Sequence, residues 1–285
     1  MPDALGFALN QILAPHRRFN DFAALARGLG VDAVEIRNDL PGVEIADETP
    51  AARLRTEAEA AGVAVLSINA LQRFNLWDAA RGAEAAALAA YARDCGARAL
   101  VLCPLNARDD RRGEAERRAD LERALAALKP ILRDHGLTGL IEPLGFEESS
   151  LRLKRTALDA IDAVDGGRAF AVLHDTFHHH LAGEAETFPE RTGLVHISGV
   201  EEPGLARADM RDGHRVLVGR GDRLGNLEQI RALRRGGYAG PLSFEPFARS
   251  VQDLADPAPA LRESMAFISA GLSEQASDET RAPAA

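Results

Sequence analysis

The chain has 285 residues, and 34 basic against 43 acidic side chains leave a formal charge of −9. A content of 46% apolar and 27% charged residues is that of a chain that folds around a core, which excludes a disordered or fibrous protein. The acid excess and an aromatic content of only 5% argue against a nucleic-acid partner, which needs cations for phosphates and rings for base stacking.

Short β-rich runs alternate with longer Ala/Leu/Arg segments of helical period. In chain order the predicted strands are Phe7–Leu13, Ala33–Asn38, Ala64–Ala70, Ala99–Pro104, Thr138–Pro143, Phe170–Asp175, Gly193–Gly199 and Pro241–Phe247. The helices between them are predicted at Asn20–Leu29, Glu48–Ala61, Asp78–Cys95, Gly113–His135, Lys154–Val164, Asn226–Arg235 and Pro259–Leu272, with a short one, Ala185–Arg191, after the sixth strand. Gly30, Gly62, Gly96 and Gly136 sit where helix C-caps are expected.

Eight βα units in one chain of this length point to an α/β fold, a single-domain (β/α)8 TIM barrel over residues 1–272. The polar, Ala/Pro-rich segment 273–285 is expected to be a disordered tail. A doubly wound sheet would need a Gly-rich phosphate loop after the first strand, and Asn10-Gln11-Ile12-Leu13-Ala14-Pro15 is not one. Cys95 and Cys103, both in apolar surroundings, form no disulfide framework and suit a reducing compartment. No run reaches the roughly 20 apolar residues of a membrane span. The segment Met1–Phe7 lacks the basic start and apolar stretch of a signal peptide, so a cytoplasmic protein with no membrane partner is expected.

In such a barrel the C-terminal ends of the strands carry the chemistry. Strands five to eight end in Glu142, Asp175, His196 and Glu245, each at the end of an apolar run that would draw it into the barrel mouth. A desolvated carboxylate is costly unless paired or bound to metal. Three carboxylates and an imidazole converging on one point suit a single divalent cation, which would reduce their charge of −3 to −1; mixed O and N donors do not choose among Mn²⁺, Mg²⁺, Co²⁺ and Zn²⁺. In the run His174-Asp175-Thr176-Phe177-His178-His179-His180 alternation forbids a common ligand role. Asp175 is read as the ligand and His178 as facing substrate. His174 is read as pointing into the helix layer, and His179 and His180 as loop residues. A purely structural role for His178 is the alternative. In the loop Asp212–Asp222, Arg215 suits substrate oxygens, or else a solvated surface, and Gly219 and Gly221 allow close backbone approach. No Gly-x-Ser-x-Gly elbow and no Cys–His pair supports a nucleophilic mechanism.

With Glu142, Asp175, His196 and Glu245 on successive late strands, nearly all of the chain but its tail resembles the xylose-isomerase-like sugar isomerase/epimerase superfamily. Within it the chain is most similar to the inosose (2-keto-myo-inositol) isomerases, through Val34-Glu35-Ile36-Arg37, Ile68-Asn69-Ala70-Leu71 with Phe74-Asn75, Asp175-x-Phe177-His178, and Asp212-x-x-Arg215 before Gly219-x-Gly221. That resemblance implies a metal-dependent intramolecular oxidoreductase of inositol catabolism, manganese being the metal first expected. It shifts the carbonyl of a cyclic polyol ketone through a metal-stabilised cis-enediolate, with Glu142 and Glu245 as ligands and proton carriers. His178, Arg215, Asn69 and Asn10 would contact substrate. An inosose dehydratase-type lyase, a hydroxypyruvate-type isomerase and a ketose 3-epimerase share the scaffold. The last is disfavoured by Glu202, which stands where those epimerases carry an Arg. A repair endonuclease of this fold would need more His at strand ends, and a noncatalytic sugar-binding barrel is the nonenzyme reading. A homo-oligomer is compatible with a barrel's exposed helices, though no face is marked.

Overall fold

The computed structural model describes residues 6–279. Its strands are β1 (Phe7–Asn10), β2 (Ala33–Arg37), β3 (Ala64–Gln72), β4 (Ala99–Cys103), β5 (Thr138–Ile141), β6 (Phe170–Asp175), β7 (Thr192–Ile197) and β8 (Leu242–Phe244). All neighbouring pairs are parallel, and β1 pairs with both β2 and β8, closing the barrel in sequence order. Around it lie α1 (Phe19–Gly28), α2 (Ala51–Ala61), α3 (Ala79–Cys95), α4 (Glu114–His135), α5 (Lys154–Ala163), α6 (Thr176–Ala182), α7 (Asn226–Arg235), the short α8 (Arg249–Gln252) and α9 (Ala258–Glu279).

Strand side chains alternate between two faces. One set, including Leu9, Val34, Ile36, Leu100, Leu102, Ile141, Val172, Val195, Ile197 and Phe244, joins the helices in the main core. The other set faces the barrel axis. Its apolar members from β3 to β7 (Ala70, Ala99, Val101, Cys103, Leu140, Leu173, Leu194) form a separate cluster. The axial positions of β2, β3 and β8 are instead polar and buried: Glu35, Ser67, Asn69 and Ser243. The barrel interior is thus apolar on one side and hydrogen-bonding on the other. Continuing the same two-residue period, Glu142, Asp175, His196 and Glu245 each lie two residues beyond an axial Leu140, Leu173, Leu194 or Ser243. The period that fills the barrel also aims the four site residues at its axis.

The expected caps form: Gly62, Gly96 and Gly136 end α2, α3 and α4 in the left-handed conformation. Element ends shift by up to three residues, with β1 stopping at Asn10 and β8 at Phe244, and two differences are larger. The helix after β6 is not Ala185–Arg191, where there is only a 3-10 turn at Pro189–Arg191, but α6, which starts directly at Thr176. Asp175 caps it, its Oδ1 accepting from His178 N at 2.9 Å. His178, His179 and His180 are therefore helical, and the placement of His179 and His180 in a loop is corrected. At the other end α9 runs to Glu279, past the expected Leu272, so the segment 273–279 continues a helix and residues 280–285 lie outside the described residues.

Gly139 on β5 packs closely against β6 and α4: a Cβ there would stand 2.7 Å from Phe170 Cδ1 and 2.9 Å from Leu132 Cδ1. We expect Gly139→Ala to destabilise the barrel by about 1–3 kcal/mol through overpacking, read as a lower urea midpoint at unchanged slope. An unchanged midpoint would mean that β5 and α4 separate freely.

Candidate metal centre

The barrel mouth collects charge. Glu142 follows β5, Asp175 ends β6, His196 lies near the end of β7 and Glu245 follows β8, and all four are buried. One donor atom from each lies within 4.8 Å of the others, a span that one divalent ion bridges with bonds of about 2.0–2.2 Å after small side-chain shifts. The pivot is His196. Its Nδ1 is 3.0 Å from Glu245 Oε2, 3.6 Å from Glu142 Oε1 and 3.9 Å from Asp175 Oδ2. No neighbour is aligned to hydrogen-bond this buried nitrogen.

The other imidazole nitrogen explains why. Glu35, fully buried on β2, meets His196 Nε2 at 3.1 Å through Oε2. The same carboxylate accepts from Ser67 Oγ at 2.6 Å and Asn69 Nδ2 at 2.9 Å, and Ser243 Oγ donates to its Oε1. Burial alone would raise the Glu35 carboxyl. The charge on His196 and the donors His196, Ser243 and Ser67 reverse this and hold it at about 2. An ionised Glu35 fixes the proton on Nε2 and leaves Nδ1 for a cation, the carboxylate–histidine arrangement that orients metal-ligating imidazoles.

Two guanidiniums complete the site. Arg215 is 1% exposed, with Phe177 and Phe247 rings 5.0 and 4.7 Å from its Cζ. Its Nη2 donates to Asp175 Oδ2 at 2.5 Å and Glu245 Oε2 at 2.9 Å, and its Nε to Ser198 Oγ at 3.0 Å. Arg37, on β2, donates through Nη1 to Glu245 Oε1 at 3.2 Å and is clamped by the half-exposed Asp39. At the barrel mouth, four buried carboxylates (Glu35, Glu142, Asp175, Glu245) face two buried guanidiniums. The deficit is −2 with His196 neutral, which a divalent cation would cancel. Without a cation, burial works against a charged ring, but Glu245, Glu35 and Glu142 outweigh it and drive the His196 pKa well above its ordinary value. Both the orphaned Nδ1 and the charge deficit fit a divalent ion.

The two acids proposed as proton carriers differ. Burial pushes the Glu245 carboxyl up, but His196, Arg215 and Arg37 hold it at about 2, and Asn10 Nδ2 adds a bond to Oε1 at 3.2 Å. Glu142 receives from a side chain only the Cys103 thiol, with Sγ 3.3 Å from Oε2. Cys103 belongs to the apolar axial cluster, as expected, and its thiol also reaches the site. Burial keeps its thiol protonated, well above the usual range.

Of the expected substrate contacts, Asn10 and Arg215 bind the acidic cluster itself, and Asn69 donates to Glu35 and Ser67. His178 is buried beside the cluster, its ring 5.2 Å from that of Phe146 and 5.3 Å from that of Phe177, and its Nδ1 accepts from Gly145 N at 3.3 Å. An accepting Nδ1 places the ring proton on Nε2. Gly145 is required there, since a Cβ would stand 2.1 Å from His178 O. His174 points outward as expected, with Nε2 2.9 Å from Gln229 Oε1 on α7. His179 meets Lys154 Nζ at 2.6 Å, and burial lowers it to about 3. Neither reaches the cluster. Gly219 and Gly221 pack against Glu201, where a Cβ would stand 2.8 and 3.2 Å from Glu201 atoms, so their close approach is to that side chain.

We expect Glu35→Gln to weaken Mn²⁺ or Zn²⁺ binding to EDTA-treated protein by about 10–100-fold in titration calorimetry while the fold is kept. Unchanged affinity in a folded variant would remove Glu35 from the centre.

A model of the family described as xylose isomerase-like TIM barrel matches residues 23–270. Among solved structures, a xylose isomerase domain-containing protein from Salmonella typhimurium LT2 is 32% identical, with a TM-score of 0.82 over 94% of this chain and 96% of that one. The fold is shared with the IolI protein bearing a zinc atom, at 18% identity and TM-score 0.81 over 95% of this chain and 99% of that one. It is shared too with L-ribulose 3-epimerase, at 20% and 0.70 over 99% of both. No curated protein matches in sequence. The chain belongs to the xylose isomerase-like TIM-barrel family.

Proposed function

We propose that the protein is a divalent-metal-dependent isomerase of a cyclic polyol ketone of the 2-keto-myo-inositol type, working in the cytoplasm on a small molecule without nucleic-acid or membrane partners. The observation that carries this reading is the orphaned His196 Nδ1 among Glu142, Asp175 and Glu245, in a buried site two positive charges short. The inosose-isomerase motifs on β2, β3, β6 and the loop holding Arg215 support the substrate class, as does the shared fold of the zinc-bearing IolI protein. No helix among the described residues is long and apolar enough to cross a membrane.

Glu142, Asp175, His196 and Glu245 would hold the cation, which when bound supplies Lewis acidity toward the substrate's carbonyl and neighbouring hydroxyl. The chain's own groups then divide the work. Glu142, with a single thiol donor and no guanidinium on it, takes the proton from the carbon beside the carbonyl. Returning that proton to the former carbonyl carbon, while the proton of the neighbouring hydroxyl passes to the former carbonyl oxygen, moves the carbonyl by one position. Glu245, held ionised by Arg37 and Arg215, would serve chiefly to hold the cation. Arg215 also holds Asp175, so its rigid fork fixes two ligands at once. The Nε2–H of His178 is left to donate to a substrate hydroxyl.

The test is NMR of 2-keto-myo-inositol with Mn²⁺-loaded enzyme in D₂O, where isomerisation with deuterium incorporation at the carbon beside the carbonyl is expected. Glu142→Gln should slow that exchange about 10²–10⁴-fold. Absence of exchange with the wild-type enzyme defeats the proposal. A product lighter by one water would replace it with the dehydratase reading.

A further inference from the structure

A cavity of about 730 Å³ opens between the loops after β4, β5 and β7 and the end of α6. Five arginines and three acids line it in a chain of net charge −9. Two of the arginines are tied to acids: Arg117 to Asp110 at 3.1 Å and Arg108 to Glu148 at 3.6 Å. Arg152, Arg207 and Arg211 have no carboxylate within 4 Å among the described residues. Backbone carbonyls fix two of these. Arg152 Nε and Nη2 both donate to Gly145 O, at 3.2 and 2.9 Å, and Arg211 Nη1 donates to Ala208 O and Met210 O, each at 2.7 Å. Such bonds orient a guanidinium and leave its charge uncompensated, with other N–H groups facing outward.

The third acid, Glu147, is exposed, and the rest of the wall is largely apolar, with Phe146, Leu181 and Met210. Arg211 Cζ lies 5.9 Å from the Phe146 ring centre. The size is that of a small-molecule site, and the planar forks suit the oxygens of a phosphoryl group. We propose that this cavity binds a small organic phosphate, the phosphoryl group on Arg152, Arg207 and Arg211 and the organic part against Phe146 and Met210. It is separate from the metal centre but touches it. Phe146 packs edge-on with Phe177, 5.9 Å between centres, and Phe177 carries Arg215. Gly145, which holds Arg152, also holds His178. A ligand there has a short mechanical route to the groups around Asp175, and the binding itself does not rest on the metal chemistry.

The experiment is calorimetric titration of the EDTA-treated full chain with glucose 6-phosphate, inorganic phosphate and glucose, with Arg207→Ser, Arg152→Gln and Glu142→Gln beside the wild type. Arg207 is exposed, so its variant should keep the fold, which a thermal melt checks. Glucose 6-phosphate is expected to bind more tightly than inorganic phosphate, and glucose not at all. Arg207→Ser or Arg152→Gln should weaken binding about 10–100-fold, with Glu142→Gln leaving it unchanged. No binding to the wild type, equal binding of the two phosphates, or sensitivity to Glu142→Gln in place of the arginine variants would overturn the assignment.

Discussion

The constraint on which the barrel mouth depends is a buried charge imbalance. Four carboxylates are held out of water against two guanidiniums, and losing Asp175 or Glu245 would strip a guanidinium of a buried partner. The apolar half of the barrel, with Val101, Leu140, Leu173 and Leu194 on the axis, offers no counterion. The polar half offers Glu35, Ser67, Asn69 and Ser243, every one of them engaged with another. Among the described residues His196 Nδ1 is left without an aligned hydrogen-bond partner, and the network beneath it dictates that it is Nδ1 and not Nε2.

The same imbalance divides the site acids. Donors concentrate on the β8 side, where the Arg37 and Arg215 guanidiniums and the Asn10 amide converge on Glu245 and keep it ionised. On the β5 side Glu142 faces a thiol that burial keeps protonated, a weak donor. The two acids are thus held differently, Glu245 by two guanidiniums and an amide and Glu142 by a thiol.

How far the sequence could be read follows from the strength of each local signal. Apolar runs ending in an acid or His gave strand ends five to eight, because a two-residue period places Leu140 and Glu142, or Leu194 and His196, on one face. The same period runs through Val34-Glu35-Ile36-Arg37, where charges alternating with buried apolar residues on an all-parallel strand can only point to the axis. The motif was noticed, but what Glu35 and Arg37 do depends on His196 and Glu245, 161 and 208 residues away. Cys103 carried no signal, since a small apolar-tolerant residue closing a strand reads as core until Glu142 is placed beside it. Helix α6 was missed because seven residues show no clear period and its cap was already read as a ligand.

Asp175 is a helix cap and at the same time a member of the candidate metal-binding cluster. Its Oδ1 caps α6 through His178 N, while Oδ2 accepts from Arg215 and faces His196. A carboxylate has lone pairs enough for both, and the division ties the orientation of a site carboxylate to the first turn of a helix. Helix α6 therefore cannot tilt without turning Asp175. His178 and Leu181 of that helix pack against Gly145 and Phe146, and its C-terminal Gly183 lies beside Arg207. The short helix spans from the metal centre to the arginine-lined cavity, with a hydrogen-bonded end on one and a close contact on the other. With only seven residues it buries few apolar side chains of its own beyond Phe177 and Leu181, and its anchorage rests largely on the Asp175 cap and the packing of His178. A displacement of α6 would therefore be felt at once by Asp175 on one side and by the wall of the arginine-lined cavity on the other.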